Sequence, residues 1–176
     1  EEVTQIAGSG ATVGLCPVTE ANLGDGIFPA QTFLAQGGRF GVGTDSNVRI
    51  GLADELRCLE YGQRLTAHER NALATAPGST GTQLLRRAQE GGARALGAPD
   101  GGLVPGAPAD LVALRDPLEL GSDGAQTVDR WLFGPDIAVG DVWVAGRRQV
   151  REGRHVARDR IADRFARTVR QVLHDG

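Results

Sequence analysis

The chain has 176 residues, a formal net charge of −3 at pH 7 and two cysteines, values that fit one domain with a sizeable core. Its basic residues are spread along the chain and no apolar run approaches the ~20 residues that span a bilayer, so we expect neither a nucleic-acid-binding face nor a membrane segment. Two cysteines are too few for a disulfide framework and no signal-peptide pattern opens the chain, which together predict a cytoplasmic location.

Two residue types are absent from the sequence. There is no methionine, and we therefore expect that residue 1 is not the natural start of the protein. All 19 basic residues are arginine, so the chain has no lysine for a Schiff base or for a phosphate loop that ends in Gly-Lys-Ser/Thr. The glycine cluster at residues 8–14 lacks the dinucleotide-fingerprint spacing and predicts instead the end of a helix and the start of a strand.

Residues 1–96 alternate strand and helix signals, with a glycine-rich loop after the first strand. The predicted elements are strands at 11–18 and 40–44 and helices at 29–36, 52–73 and 80–96. This alternation implies a parallel sheet or barrel. Two such units cannot close a barrel of eight strands, which takes ~250 residues.

The rest of the chain changes character. Over residues 97–156, glycine and proline separate short β-rich runs that predict a small antiparallel sheet, with strands at 109–114, 137–144 and 148–150. Residues 157–174 predict one amphipathic helix with an apolar stripe. The stripe consists of Ile161, Phe165, Val169 and Val172.

The most informative motif is Gly-Thr-Asp-Ser-Asn at residues 43–47, directly after the apolar run 39–42. It places Asp45 at the carboxyl end of a short buried strand, the position from which barrel enzymes build their active sites. In isolation, an Asp-Ser pair more often caps a strand end or forms a turn. A lone carboxylate also cannot hold a metal ion.

Three stretches give the chain a specific resemblance, at residues 15–26, 43–46 and 102–114. The last, Gly-Leu-Val-Pro-Gly-Ala-Pro-Ala-Asp-Leu-Val-Ala-Leu, is similar to the sandwich re-entry of the amidohydrolase superfamily. The first resembles the loop after that superfamily's seventh barrel strand, and the second resembles the metal-ligand motif of the eighth. The resemblance implies an α/β fold. It would comprise the C-terminal portion of a (β/α)8 metal-dependent hydrolase barrel, part of a small β-sandwich and a C-terminal helix. The corresponding segments are 1–96, 97–156 and 157–176.

Within the superfamily, residues 19–28 and 54–65 resemble the formiminoglutamate deiminases. The first stretch has Glu-Ala-Asn where most relatives have Ser-Asn. The resemblance implies hydrolysis of N-formimino-L-glutamate to N-formyl-L-glutamate and ammonia during histidine breakdown. It also implies one bound Zn²⁺, with Fe²⁺ as an alternative, and a homodimer.

The same resemblance assigns roles to individual residues. Asp45 would be both a metal ligand and a proton acceptor for the attacking water. Ser46 and Asn47 either orient Asp45 or contact the substrate, or else form turn hydrogen bonds. Asn22 either contacts the substrate or forms a turn beside the following glycines, and the same alternatives hold for Glu20 and Asp25.

Other polar residues favour structural roles. Charges at helical spacing predict a solvated, ion-paired helix face; they are Glu55, Arg57, Glu60 and Arg64. The three histidines lack ligand spacing and are predicted to be exposed; they are His68, His155 and His174. Cys16 has no histidine nearby in sequence to activate it, which favours packing over nucleophilic catalysis.

Three functional hypotheses remain open. The first is the deiminase, with the superfamily's His-x-His pair and its remaining site residues supplied by an N-terminal part of the same protein. The second is another deaminase or hydrolase of the superfamily that acts on a ring such as guanine or an adenosine derivative. The third is a non-catalytic fragment with a structural role. The 176 residues alone are predicted to be inactive.

Overall fold

The computed structural model describes residues 1–46, 49–99, 101–119 and 123–174. The chain forms two compact units. The first comprises residues 1–107 and 118–136, and the second comprises residues 108–117 and 137–176.

The first unit is built from one parallel strand pair and six helices within the described residues. Its first seven elements along the chain are α1 (Glu2–Ser9), β1 (Thr12–Leu15), α2 (Pro17–Leu23), α3 (Ala30–Ala35), β2 (Arg39–Val42), α4 (Leu52–Ala67) and α5 (Thr80–Leu96). The chain then contributes one strand to the second unit and returns to the first as α6 (Gly124–Phe133). β1 and β2 pair in parallel from Thr12 opposite Arg39 to Leu15 opposite Val42, and α5 packs on both strands. The predicted parallel alternation of strands and helices is confirmed here.

One apolar cluster holds this unit together. Phe33, Phe40, Leu56, Leu84 and Leu132 are at most 1% exposed. They come from α3, β2, α4, α5 and α6, so each of these elements contributes a side chain to the same core. Burial of apolar surface is the main force that stabilises such a core.

Side chains cap the starts of two helices, α5 and α6. Ser79 accepts a hydrogen bond from the Thr82 N–H at 2.9 Å at the start of α5. Asp123 accepts one from the Gln126 N–H at 2.8 Å at the start of α6. Both contacts satisfy a backbone donor that has no partner inside the helix. At its other end α5 stops at Gly97 with φ 62°, as glycine at that position predicts.

The predicted bounds of the strand at 11–18, and of the glycine-rich loop after it, are wrong. The strand ends at Leu15 and α2 begins at Pro17, because proline at the first helical position is already set for the helix and lacks a donor to leave unpaired. The predicted helix 52–73 also ends early, at Ala67, since His68 adopts the left-handed conformation with φ 57°.

The second unit is a four-stranded antiparallel sheet followed by a helix. Its elements are β3 (Leu111–Arg115), β4 (Ala138–Val144), β5 (Arg147–Arg151), β6 (Arg154–His155) and α7 (Arg158–His174). The strands lie in the order β3-β4-β5-β6, which confirms the predicted small antiparallel sheet. α7 is the predicted amphipathic helix, and none of its described residues is buried.

One helix was not predicted. α6 lies within the stretch 97–156, for which the sequence predicts only β structure, and it packs on α4 and α5 of the first unit. A single glycine- and proline-rich segment therefore contributes to both units. Among the described residues, no helix is long and apolar enough to cross a membrane.

Candidate active site

Parallel pairing of β1 and β2 brings the segments that follow them to one edge of the sheet. The Gly43 N–H donates to the Leu15 carbonyl at 2.9 Å and continues the ladder one residue beyond β2. Asp45 follows on an exposed turn, while Cys16 opens α2 after the neighbouring strand. The predicted position of Asp45, at the carboxyl end of a buried strand, is confirmed.

The backbone at Asp45 is unusual. Its φ is 46°, in the left-handed region that aspartate tolerates better than most residues. The side chain is exposed, and Ser46 Oγ donates to its Oδ1 at 3.3 Å. This contact can orient the carboxylate, as one of the two alternatives for Ser46 requires. A substrate contact by Ser46 stays a prediction, and Asn47 lies outside the described residues.

Thr19 is a contact residue that the sequence analysis missed. It is the third residue of α2, is 8% exposed, and its Oγ1 donates to the Thr44 carbonyl at 2.9 Å. The contact joins α2 to the residue directly before Asp45. No short-range pattern indicates it, because the two threonines are separated by 25 positions.

Cys16 and Glu20 form the start of α2. The Cys16 N–H donates to Glu20 Oε1 at 2.7 Å, so this carboxylate caps its own helix. Burial raises the pKa of the Cys16 thiol, and the negative charges of Asp45 and Glu20 raise it further. A thiol with a raised pKa is a poor nucleophile at neutral pH, which agrees with the packing role expected for Cys16.

Glu55 is buried, contrary to the predicted solvated helix face. It is 1% exposed, and its Oε2 accepts from the Val18 N–H at 2.9 Å. Its Oε1 has no partner among the described residues. Burial raises the pKa of the Cys58 thiol, and the negative charge of Glu55 raises it further. The misprediction arises because α2 covers this face of α4.

Glu60 is also buried, at 0% exposure. Arg64 Nε donates to its Oε1 at 2.7 Å. The N–H groups of Ala72 and Leu73 donate to Oε1 and Oε2 at 2.9 and 3.0 Å. The ion pair at the predicted spacing exists, but its carboxylate fixes the chain after α4 instead of facing solvent. Three donors offset the cost of burying this charge.

Asn22 lies in α2 and not in a loop, so the predicted turn role is wrong; a substrate contact stays a prediction. Its side chain is exposed. All three histidines are exposed, as expected. His155 Nδ1 accepts from the Ala157 N–H at 3.1 Å.

A cavity of about 620 Å³ opens between α2 and α4. Apolar side chains such as Ile27 and Tyr61 line most of it, and a linked set of charges lies at one side. In that set Asp54 accepts from Arg49 at 3.0 Å and from Arg57 at 2.9 Å. Neither Asp45 nor Ser46 is among the described residues that line this cavity.

Asp45 is the candidate metal ligand at the strand edge. Within the described residues, no three His, Cys, Asp or Glu side chains lie together in an arrangement that could hold a metal ion. Catalytic zinc sites use three protein ligands, so these residues do not form a complete metal centre.

Comparison with known proteins gives strong matches. The chain is 50% identical over 176 residues to the formimidoylglutamate deiminase of Pseudomonas aeruginosa, a match that covers 98% of this chain and 39% of that protein. It is 33% identical over 117 residues to a 5-methylthioadenosine/S-adenosylhomocysteine deaminase of Haloquadratum walsbyi, covering 65% of this chain and 25% of that protein.

Solved structures give the same picture. An amidohydrolase from Brucella melitensis superposes with a TM-score of 0.94 at 49% identity, over 98% of this chain and 38% of that one. An adenosine deaminase from Xanthomonas campestris with bound zinc superposes with a TM-score of 0.80 at 25% identity, over 99% of this chain and 40% of that one.

The chain therefore spans well under half the length of these relatives. The amidohydrolase family model matches residues 1–148, which include both parallel strands, the Asp45 turn and most of the antiparallel sheet. On this match, the mixed α/β chain described above belongs to the amidohydrolase family.

Proposed function

We propose that this chain is the C-terminal part of a zinc-dependent deiminase that hydrolyses N-formimino-L-glutamate to N-formyl-L-glutamate and ammonia in histidine degradation. The observation that carries the proposal is the exposed Asp45 carboxylate at the carboxyl edge of the parallel pair. It occurs in a chain that is 50% identical to a formimidoylglutamate deiminase. In this proposal the first unit supplies the last β/α units of a (β/α)8 barrel, and the second supplies part of a β-sandwich.

The chemistry of Asp45 fits one ligand of a zinc site. A carboxylate oxygen is a donor that Zn²⁺ accepts alongside imidazole nitrogen, and the side chain is exposed at the strand edge. When bound, zinc lowers the pKa of its water to about 7 and so supplies hydroxide at neutral pH. The remaining ligands and the residues that select the substrate would come from an N-terminal part of the same protein, which would form a homodimer.

Asp45 would also move a proton. Its carboxylate can accept the proton of the attacking water and pass it towards the leaving amine. Ser46 Oγ donates to Oδ1 of Asp45. This bond would orient the carboxylate and leave Oδ2 to bind the metal. Asn22 and Ser46 are proposed as substrate contacts of the same site.

A second candidate is favoured by a specific observation. Deaminases of adenosine derivatives match this chain at up to 36% identity, and the zinc-bearing adenosine deaminase shares its fold. A ring deaminase would use the same carboxylate, since both reactions add water to a carbon–nitrogen bond and release ammonia. The two functions differ in substrate and not in the proposed role of Asp45.

Ammonia release from the full-length protein tests both candidates. With N-formimino-L-glutamate, guanine and 5-methylthioadenosine supplied separately, we expect release from the formimino compound. Asp45→Asn should lower kcat by on the order of 10²–10⁴-fold, because it removes a proton acceptor. Asp163→Asn, which neutralises an exposed aspartate of α7, is the matched control and should keep wild-type activity.

The outcomes separate the candidates. Release only from guanine or 5-methylthioadenosine would favour the ring deaminase and contradict the formimino substrate. Activity of Asp45→Asn equal to that of Asp163→Asn would contradict the assignment of Asp45 whatever the substrate. No release from any of the three compounds, with zinc supplied, would contradict both candidates and favour the non-catalytic role.

A further inference from the structure

The hydroxyl of Thr19 holds the peptide group that leads into Asp45. Thr19 Oγ1 donates to the Thr44 carbonyl oxygen at 2.9 Å across the strand edge. The last ladder contact before it is the Gly43 N–H to the Leu15 carbonyl at 2.9 Å. Thr19 therefore holds a peptide group two positions beyond that contact, the one between Thr44 and Asp45.

Fixing this carbonyl restricts Asp45 for a geometric reason. The peptide group between Thr44 and Asp45 is planar, so its carbonyl, its N–H and the Asp45 Cα lie in one rigid plane. An anchored Thr44 oxygen thus sets the direction of the N–Cα bond about which Asp45 turns. The φ of 46° at Asp45 belongs to a region that non-glycine residues keep where their surroundings determine it.

Thr19 is itself held firmly enough to serve as an anchor. It is 8% exposed, and the residues beside it are fixed by carboxylates. The Val18 N–H donates to the buried Glu55 at 2.9 Å, which ties α2 to α4. At the start of the helix, the Cys16 N–H donates to Glu20 at 2.7 Å. These contacts fix the first turn of α2, in which Thr19 lies.

We propose that Thr19 is a positioning residue for Asp45, and that its hydroxyl sets the backbone orientation from which the Asp45 carboxylate reaches the metal. This inference rests on the proposed role of Asp45 as a metal ligand. Thr19 itself touches neither the metal nor the substrate. A residue that orients a ligand in this way affects metal affinity, and its loss typically lowers that affinity by about 10- to 100-fold.

The test compares variants of the full-length protein by zinc affinity, measured by chelator competition, and by kcat and KM. Thr19→Val keeps the shape and removes the donor, Thr19→Ser keeps the donor, and Asp45→Asn shows the effect of the carboxylate. Thr66→Val is the matched control, because Thr66 Oγ1 also donates to a backbone carbonyl, that of Gly62, at 2.9 Å. Thr19→Ala provides a second donor-free variant should Thr19→Val fail to fold.

The positioning role predicts that Thr19→Val weakens zinc binding by about tenfold and lowers kcat more than it changes KM. Thr19→Ser should restore both values, and Thr66→Val should leave them unchanged. Equal zinc affinity of Thr19→Val and wild type would overturn the inference, as would equal losses in Thr19→Ser or Thr66→Val. If Asp45→Asn binds zinc as well as wild type does, the proposed function fails as well. If only Asp45→Asn binds zinc weakly, the positioning role alone fails.

Discussion

Replacing Gly91 with alanine would place a side-chain atom inside the contact between α5 and β2. A Cβ at Gly91 would lie 1.9 Å from the Phe40 carbonyl oxygen and 2.5 Å from its carbon. Gly92, the next residue of the same helix, has nothing within 4 Å of an added Cβ. The two glycines therefore separate the effect of packing from the effect of helix propensity.

The expected magnitude follows from these distances. Alanine stabilises a helix interior by about 1 kcal/mol relative to glycine, and this gain is common to both substitutions. At Gly91 the added atom must move from 1.9 Å to at least 3.0 Å from the carbonyl oxygen, a displacement of about 1.1 Å. Overpacking of this kind costs about 1–3 kcal/mol. The displacement also separates the buried side chains of α5, Leu84 and Ala88, from the core.

Thermal unfolding of the two variants and the wild type measures the difference. We expect Gly92→Ala to melt at or above the wild-type temperature. Gly91→Ala should be less stable than Gly92→Ala by about 1–3 kcal/mol, since only the packing term differs. Equal melting temperatures for the two variants would refute the claim that α5 lies against the β2 backbone at Gly91.

Two further predictions concern buried and partly buried carboxylates. Glu60→Ala should lower the free energy of unfolding by roughly 3 kcal/mol, because it leaves Arg64 and two backbone donors without their acceptor. Urea denaturation measures this loss. Glu90→Ala, at an exposed glutamate, is the control and should change the free energy of unfolding little. The hydrogen bonds from Arg148 hold the pKa of Asp141 below its usual value. The wild type should therefore be more stable than Asp141→Asn by a constant amount from about pH 5 to 8. This advantage should be lost as the pH falls below about 4, because Asp141 then becomes protonated. An advantage that was undiminished at pH 2 in melting experiments would contradict that cause.

The sequence predicts elements well where the signals are local. α5 has its bounds at Thr80 and Leu96, as expected, because a capping serine and a terminal glycine mark its two ends. The parallel pair and the antiparallel sheet follow from apolar runs separated by glycine and proline. α6 was missed because its cap, Asp123, lies in a segment whose composition is typical of turns.

Burial of charged residues could not be predicted in the same way. Glu55 and Glu60 lie five residues apart on α4, and their neighbours in sequence are typical of a solvated face. Their burial depends on α2 and on the chain after α4, which supply the N–H donors. A pattern of charges within one helix contains no information about donors 12 to 37 positions away. Tertiary contacts decide such cases.

The partners of the carboxylates also support the choice of Asp45 independently of family resemblance. Near the strand edge, Glu20 accepts the Cys16 N–H and Glu55 accepts the Val18 N–H, so both carboxylates hold the start of α2. Asp45 differs, since it is exposed and accepts from the side-chain hydroxyl of its neighbour Ser46. A carboxylate that accepts from a backbone donor helps to hold that part of the chain, whereas an exposed carboxylate is accessible to an external ligand. Among these three, Asp45 is the exposed carboxylate, and this accessibility favours it as the metal ligand.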